Sequence, residues 1–304
     1  MGPKQEKIGY LSAAIIVSLM ACSPAQEQAS TAIQAAPAPA VDAIPRGPDG
    51  KPDLNGIWQV LSNANYNLEA AAPKAALALV PGDFVPVPAP EVVALGAIGA
   101  VPATFGVVEG GTIPYKPEGL ARREANRENW LTSDPEIKCY MPGVPRATYL
   151  PHPFQIFHSD QAVFFAYSFA GAVRNIYLED PGEPPLDAWM GQSYGHWEGD
   201  TFVIEVTGLD DRTWFDRAGN YHSYKMKVTE RYTLVSANVI EYEATIEDPD
   251  IFERPWTIKM PIYRRLEAGF ELPQFKCVEF VEELMYGKYR KGREAELFGA
   301  DAND

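Results

Sequence analysis

The sequence has few of the residue patterns that announce a catalyst. It contains no His-Glu-x-x-His, no phosphate-cradling glycine loop and no Cys-x-x-Cys, which argues against a zinc enzyme, a nucleotide enzyme and a thiol oxidoreductase. A serine hydrolase is not expected either, and no cofactor or metal is called for. Histidine is scarce: the chain has four, His152, His158, His196 and His222, and none stands at ligand spacing from a cysteine. Basic residues are outnumbered, leaving a formal charge of −15. That surface would repel nucleic-acid phosphates and also disfavours anionic lipid headgroups. After the N-terminal segment no apolar run is long enough to span a bilayer.

The N-terminal segment itself has the three parts of an export signal. Lys4 and Lys7 supply positive charge. Ile8 to Met20 is an apolar run of roughly a dozen residues, short for a transmembrane helix. Leu19-Met20-Ala21-Cys22 then resembles a lipobox, in which the signal is cut before a cysteine that is acylated. An ordinary cut near Ala21, leaving Cys22 as a free thiol, is the alternative. Ser23 after the cysteine implies the outer membrane by the usual bacterial sorting pattern, so lipid-anchored export, with the domain on the periplasmic face, is expected. Residues 1–22 are thus read as signal and lipobox. Residues 23–50, rich in Ala and Pro, are read as a disordered tether with too little to pack.

Residues 51–290 form one expected β domain, followed by a polar tail over 291–304. Hydrophobic residues at 46% and aromatics at 12% suffice for a core of that size. The Ala-, Pro- and Gly-rich stretch from Ala70 to Thr112 reads as a long excursion over the domain. Pro117 to Leu131 is the one convincing helix, with proline in its first turn. Beyond Pro153 the hydrophobic period becomes two. Strands are expected over 154–159, 161–168, 173–178, 192–197, 201–207, 225–235, 239–247, 256–265 and 275–281. Turns rather than helices join them, which predicts an all-β fold. An antiparallel barrel or strongly curved sheet of calycin or lipocalin type is favoured over a two-sheet sandwich, because so many strands must close to hide their edges.

Alternation also assigns faces. Ile240, Tyr242, Ala244 and Ile246 point inward, as do Trp256, Ile258, Met260 and Ile262, and Met226, Val228, Glu230, Tyr232 and Leu234. Glu230 is the anomaly. The turn at Ser236-Ala237-Asn238 places it opposite Ala244. A carboxylate aimed into an apolar interior needs partners, and such a group is a candidate general acid or base; a structural carboxylate bonded to Tyr or Arg is the plainer reading. Arg174 is in phase with Ile176, and Arg264 with Ile262. The densest polar stretch, Gly208 to Ser223, holds Trp214, Asp216 and His222, and Asp216 beside His222 would make an oriented base. The other three histidines are scattered and more simply structural. Cys139 and Cys277 are expected to pair in an oxidising compartment, with free thiols or metal binding as rivals.

Several phrases then resemble one large group of exported, β-barrel-like and mostly uncharacterised bacterial proteins. They are Pro52-Asp53-Leu54-Asn55-Gly56-Ile57-Trp58, Pro114-Tyr115-Lys116-Pro117, Pro142-Gly143-Val144-Pro145-Arg146, Trp197-Glu198-Gly199-Asp200-Thr201, Glu230-Arg231-Tyr232, Glu247-Asp248-Pro249 and Arg254-Pro255-Trp256. The resemblance covers nearly all of the folded part. It implies export and a barrel, is compatible with roles for His222, Asp216 and Glu230, and brings no activity with it. The Gly-x-Trp at Gly56 also resembles lipocalins.

Two functions follow as expectations. In the first, the barrel binds a hydrophobic, aromatic small molecule and carries out lyase or isomerase chemistry. His222 or Glu230 would be the base, Asp216 the orienting acid, and Arg174, Trp214, Tyr232, Tyr242 and Trp256 the binding set. In the second, it is a carrier or a structural envelope lipoprotein. The membrane would be met only through the lipid anchor, and the sequence sets no oligomeric state.

Overall fold

The computed structural model describes residues 43–73 and 101–279. The signal segment with Cys22, most of the tether, the middle of the Ala/Pro-rich excursion and the polar tail lie outside the described residues.

Nine strands close into a barrel. They are β1 Gly56–Gln59, β2 Phe154–His158, β3 Val163–Tyr167, β4 Val173–Tyr177, β5 Gln192–Glu198, β6 Thr201–Thr207, β7 Lys227–Ser236, β8 Val239–Glu247 and β9 Trp256–Arg264. Each pairs with the next, and β9 returns to β1 through Trp58 opposite Arg264. Closure removes the free edges that an open sheet of this size would expose. One pairing departs from the expected antiparallel meander: β4 and β5 run parallel, with Ile176 opposite Ser193. Residues 178–191 cross over between them, since parallel neighbours cannot be joined by a tight turn.

Two expected elements differ. Of the strand expected at 275–281, the described residues 275–279 form none; Phe275 makes a single bridge to Phe169. The helix breaks at Asn129 into α1 Pro117–Glu128 and α2 Trp130–Ser133. A third short helix, α3 Arg146–Tyr149, follows.

Part of the excursion is sheet-like. Only the last residues of β9 meet β1, so its first half would present unpaired backbone groups. Glu109 N donates to Thr257 O, and Lys259 N donates to Val107 O, covering that edge.

The inward rows are those that alternation predicts. Ile240, Tyr242, Ala244, Ile246, Ile258 and Ile262 are fully buried, as are Glu230 and Tyr232. The outward row of β8 carries Glu241, Glu243 and Glu247. Trp58, Phe154, Phe165 and Phe202 fill the interior, each burial contributing about 1.5–3 kcal/mol. Gly195 serves this packing: a Cβ there would lie 2.5 Å from Ile176 and 2.6 Å from Phe202.

The two barrel ends differ. At the hairpin end, residues 43–55 close over the tight turns. Arg46 pairs with Asp200, Asn55 bonds the backbone of His158, and Arg264 reaches the carbonyls of Asn55 and Ala237. At the other end, 60–73, 101–153, 208–226 and 248–255 form a thick base.

Candidate functional site

Glu230 lies between Ile204 of β6 and Ala244 of β8 and is inaccessible to solvent. Three donors converge on it. The Arg174 guanidinium reaches Oε2, while the hydroxyls of Tyr242 and Tyr232 donate to Oε1 at 2.7 and 3.0 Å. Arg174 Nε donates to Ser193 Oγ at 2.8 Å. Burial alone would lower the Arg174 pKa, but the Glu230 carboxylate overcomes it and holds the guanidinium charged. Tyr232 and Tyr242 are pushed well above the ordinary phenol value by burial and by the Glu230 charge, so both remain neutral donors. The buried Tyr167 hydroxyl lies beside Arg174 and Thr148 here; burial pushes its pKa up, against the pull of the Arg174 charge.

The base plugs this end of the barrel with α3, all four residues of which are buried. Thr148 Oγ1 stands 3.4 Å from the Tyr232 hydroxyl, and Tyr149 donates to the Phe215 carbonyl at 2.9 Å. Arg146 anchors the plug by bonding Asp134, Glu136 and Asn65. Burial would raise the Glu136 carboxyl, yet Arg217 and Arg146 together hold it down at about 2.

The expected Asp216–His222 pair is not formed. His222 Nδ1 lies 2.9 Å from the Ser223 carbonyl, which can only accept, so Nδ1 carries the proton. Nε2 is then the acceptor for the Thr213 hydroxyl at 2.6 Å. Burial draws the His222 pKa below its usual value, keeping the ring neutral. Asp216 instead orders the loop, accepting from the backbone nitrogens of Leu68, Ala218 and Asn220 and from the Asn220 amide. Burial pushes its carboxyl up to about 7 against those four donors. The two residues were close in sequence, but the loop turns their side chains to different partners.

The expected binding set also divides. Arg174, Tyr232 and Tyr242 meet at Glu230. Trp256 packs instead on Phe215 and Phe252, while Trp214 bridges to Tyr221 in the base. His152 packs against both Phe169 and Phe275, His158 lies beside Trp197, and His196 approaches Glu198 at 3.4 Å. The sulfurs of Cys139 and Cys277 stand at bonding distance, 2.01 Å.

Three residues around Glu230 escape sequence reasoning. Tyr167 and Ser193 are in phase with the inward rows of β3 and β5, a signal that alternation carries. Thr148 has no such signal. Ser193 also sits in Gly191-Gln192-Ser193-Tyr194-Gly195, a Gly-x-Ser-x-Gly pattern, so setting a serine hydrolase aside needs structural grounds. Those grounds exist. The nucleophile elbow is a strand-to-helix turn, whereas Ser193 is buried within β5, paired with Val206 and facing an arginine rather than a base.

A surface cleft of about 1290 Å³ lies outside the barrel wall, lined by Tyr194, Glu205, Tyr224, Lys227 and Glu247 among others, and no expected site residue borders it. Among the described residues no group of His, Cys, Asp and Glu is arranged to hold a metal ion. Comparison with protein-family models, curated proteins and solved structures finds no match for the chain.

Proposed function

We propose that the barrel binds a hydrophobic, aromatic small molecule and carries out lyase- or isomerase-type acid–base chemistry on it without a cofactor, centred on Glu230 rather than His222. The convergence of Arg174, Tyr232 and Tyr242 on one buried carboxylate supports this reading. A carboxylate in a dry interior is a candidate base, and the arginine and phenols beside it are donors for an oxygen that gains negative charge. Glu230 would take a proton from the ligand, and a tyrosine hydroxyl would turn to the developing oxyanion. His222 and Asp216 take structural roles here. The lipobox phrase at Cys22 and the phrases shared with exported barrel-like proteins support an outer-membrane lipid anchor.

One observation favours a carrier without turnover. Glu230 already accepts three hydrogen bonds, so both of its oxygens are engaged by the protein's own donors. The test is native mass spectrometry of the full chain challenged with an extract of aromatic and lipid metabolites. A metabolite consumed with a defined mass change, and spared by Glu230→Gln, supports the enzyme. A ligand retained and returned unchanged supports the carrier. Neither binding nor conversion sinks both and leaves a structural envelope role.

A further inference from the structure

The surface cleft of about 1290 Å³ takes no part in the interior reading. Clefts for drug-sized ligands enclose about 300–1,000 Å³, so this one suits an extended ligand. Its floor includes the outward face of β5 and β6, where alternation aims Gln192 and Tyr194 out beside Thr207 and Glu205. Gln192 stands opposite Thr207, and Tyr194 opposite Glu205. Side chains paired in this way start with their Cβ atoms about 4.5–5.5 Å apart. The Gln192 amide donates to the Gly182 carbonyl at 2.7 Å, which ties the crossover 178–191 to the floor as a wall. Tyr224, 55% exposed, lines the side where the chain enters β7. Among the described residues, the Tyr194 and Thr207 hydroxyls and the Glu205 carboxylate make no hydrogen bond or ion pair with the protein. They are solvated groups, open to exchange water for a ligand.

The lining narrows the choice of ligand. It holds seven carboxylates and four basic side chains, which disfavours a phosphate or a carboxylate. Two of the bases are engaged: Lys225 pairs with Asp250, and Lys116 donates to the Pro249 carbonyl. Lys227 lies among the acids, directly opposite Glu247, so a polycation finds no unbroken acidic surface either. An apolar ligand would strip water from Glu205 and Glu247 and leave their charges unsatisfied. Sugar hydroxyls replace that water, because each can donate to a carboxylate in a charge-assisted hydrogen bond. A sugar ring also has an apolar face of C–H groups, whose hydrogens meet the negative face of an aromatic ring. Tyr194 offers such a face. His196 stacks on one side of its ring at 5.5 Å and lies outside the cleft, which leaves the other side to a ligand.

We propose that this cleft binds an uncharged oligosaccharide. One sugar ring lies on Tyr194 and donates hydroxyl hydrogens to Glu205, with Gln192 and Thr207 beside it, and a further ring packs on Tyr224. The site uses the outward rows of β5 and β6, whereas Ser193 and Ile204 of the same strands face the Glu230 cluster. It therefore stands or falls separately from the interior reading.

Calorimetric titration of the full chain with maltohexaose, cellohexaose and N-acetylated chitohexaose tests this, with hexalysine as the cationic comparison. At least one hexasaccharide is expected to bind, about tenfold more tightly than its own disaccharide. Tyr194→Ala and Glu205→Gln should each weaken that binding about tenfold, and Tyr194→Phe, which keeps the ring face, should retain most of it. Both side chains lie on the outer surface, and a urea midpoint confirms that each variant is folded. Glu241→Gln, on the outward row of β8 and outside the cleft, should leave binding as it is. Hexalysine bound in place of the sugars overturns the assignment in favour of a cationic peptide. No binding of any hexasaccharide at millimolar concentration overturns it outright. Sugar binding that survives both Tyr194→Ala and Glu205→Gln puts the saccharide elsewhere and overturns the cleft as its site.

Discussion

Glu230 on β7 stands directly opposite Ala244 on β8, and both are fully buried. The methyl side chain leaves the carboxylate room within the wall of the barrel, where the Tyr242 hydroxyl reaches it at 2.7 Å. A larger neighbour would push the carboxylate off its donors.

Ala244→Leu is therefore expected to destabilise the fold by about 1–3 kcal/mol through overpacking, read as a lower urea midpoint. An unchanged midpoint would mean that the space beside Glu230 is larger than the packing around it implies.

Removing one partner of the central ion pair should cost more than removing both. Glu230→Gln leaves the Arg174 charge buried without its counter-ion, a loss on the order of 3–5 kcal/mol. Adding Arg174→Met removes the stranded charge and should restore part of that loss. A double-mutant cycle in urea measures the difference; additive losses would show that the two charges do not depend on each other.

Stability should respond to pH through groups of opposite sign. The buried Glu136 carboxyl is held at about 2, below its ordinary 4.5. Its contribution is complete above pH 4.5 and is lost as pH falls toward 2, on the order of 3 kcal/mol. Glu136→Gln should abolish that acid-side loss. His222, lowered by burial, acts in the same sense: its contribution is complete above its ordinary 6.5 and declines below it. Asp216, raised from 3.8 to about 7, acts oppositely. Its unfolded form ionises first, so stability declines as pH rises from 3.8 to 7, and Asp216→Asn should flatten that decline. Urea midpoints across pH 2 to 8 check each sign.

The Cys139–Cys277 bond spans 138 residues and holds a strap against the rim of the barrel. Phe275 N donates to the Ser168 carbonyl, and the Phe275 ring lies 4.2 Å from His152. Replacing both cysteines by serine should lower stability by about 4–5 kcal/mol on the chain-entropy account and speed amide exchange at Phe275. Unchanged exchange would show that the strap holds without the bond.

Much of the barrel wall was legible residue by residue. Because side chains alternate, the inward rows of β7 and β8 follow from local pattern. The Glu230–Ala244 pairing expected from a turn at Ser236-Ala237-Asn238 is found, although Ser236 rather than Val235 faces Val239 and a register shift between Leu234 and Ser236 restores the pairing. The inward aim of Arg174 follows in the same way. By contrast, Asp216 and His222 are only a few residues apart, yet a loop has no fixed period to say where their side chains point. Phe275 sits in an alternating stretch, yet it has no neighbouring strand to complete a ladder.

By itself, then, the sequence determined the strand-rich architecture, the faces of the long strands and the presence of one acid in an apolar row. These depend on contacts between near neighbours and on a period of two. Only the tertiary structure decided that Arg174 of β4 meets Glu230 of β7, that β4 and β5 run parallel, and that Thr148 plugs the mouth beside Tyr232. Those meetings depend on how the sheet closes and which loop folds over its end, and no local pattern encodes a distance across a closed barrel.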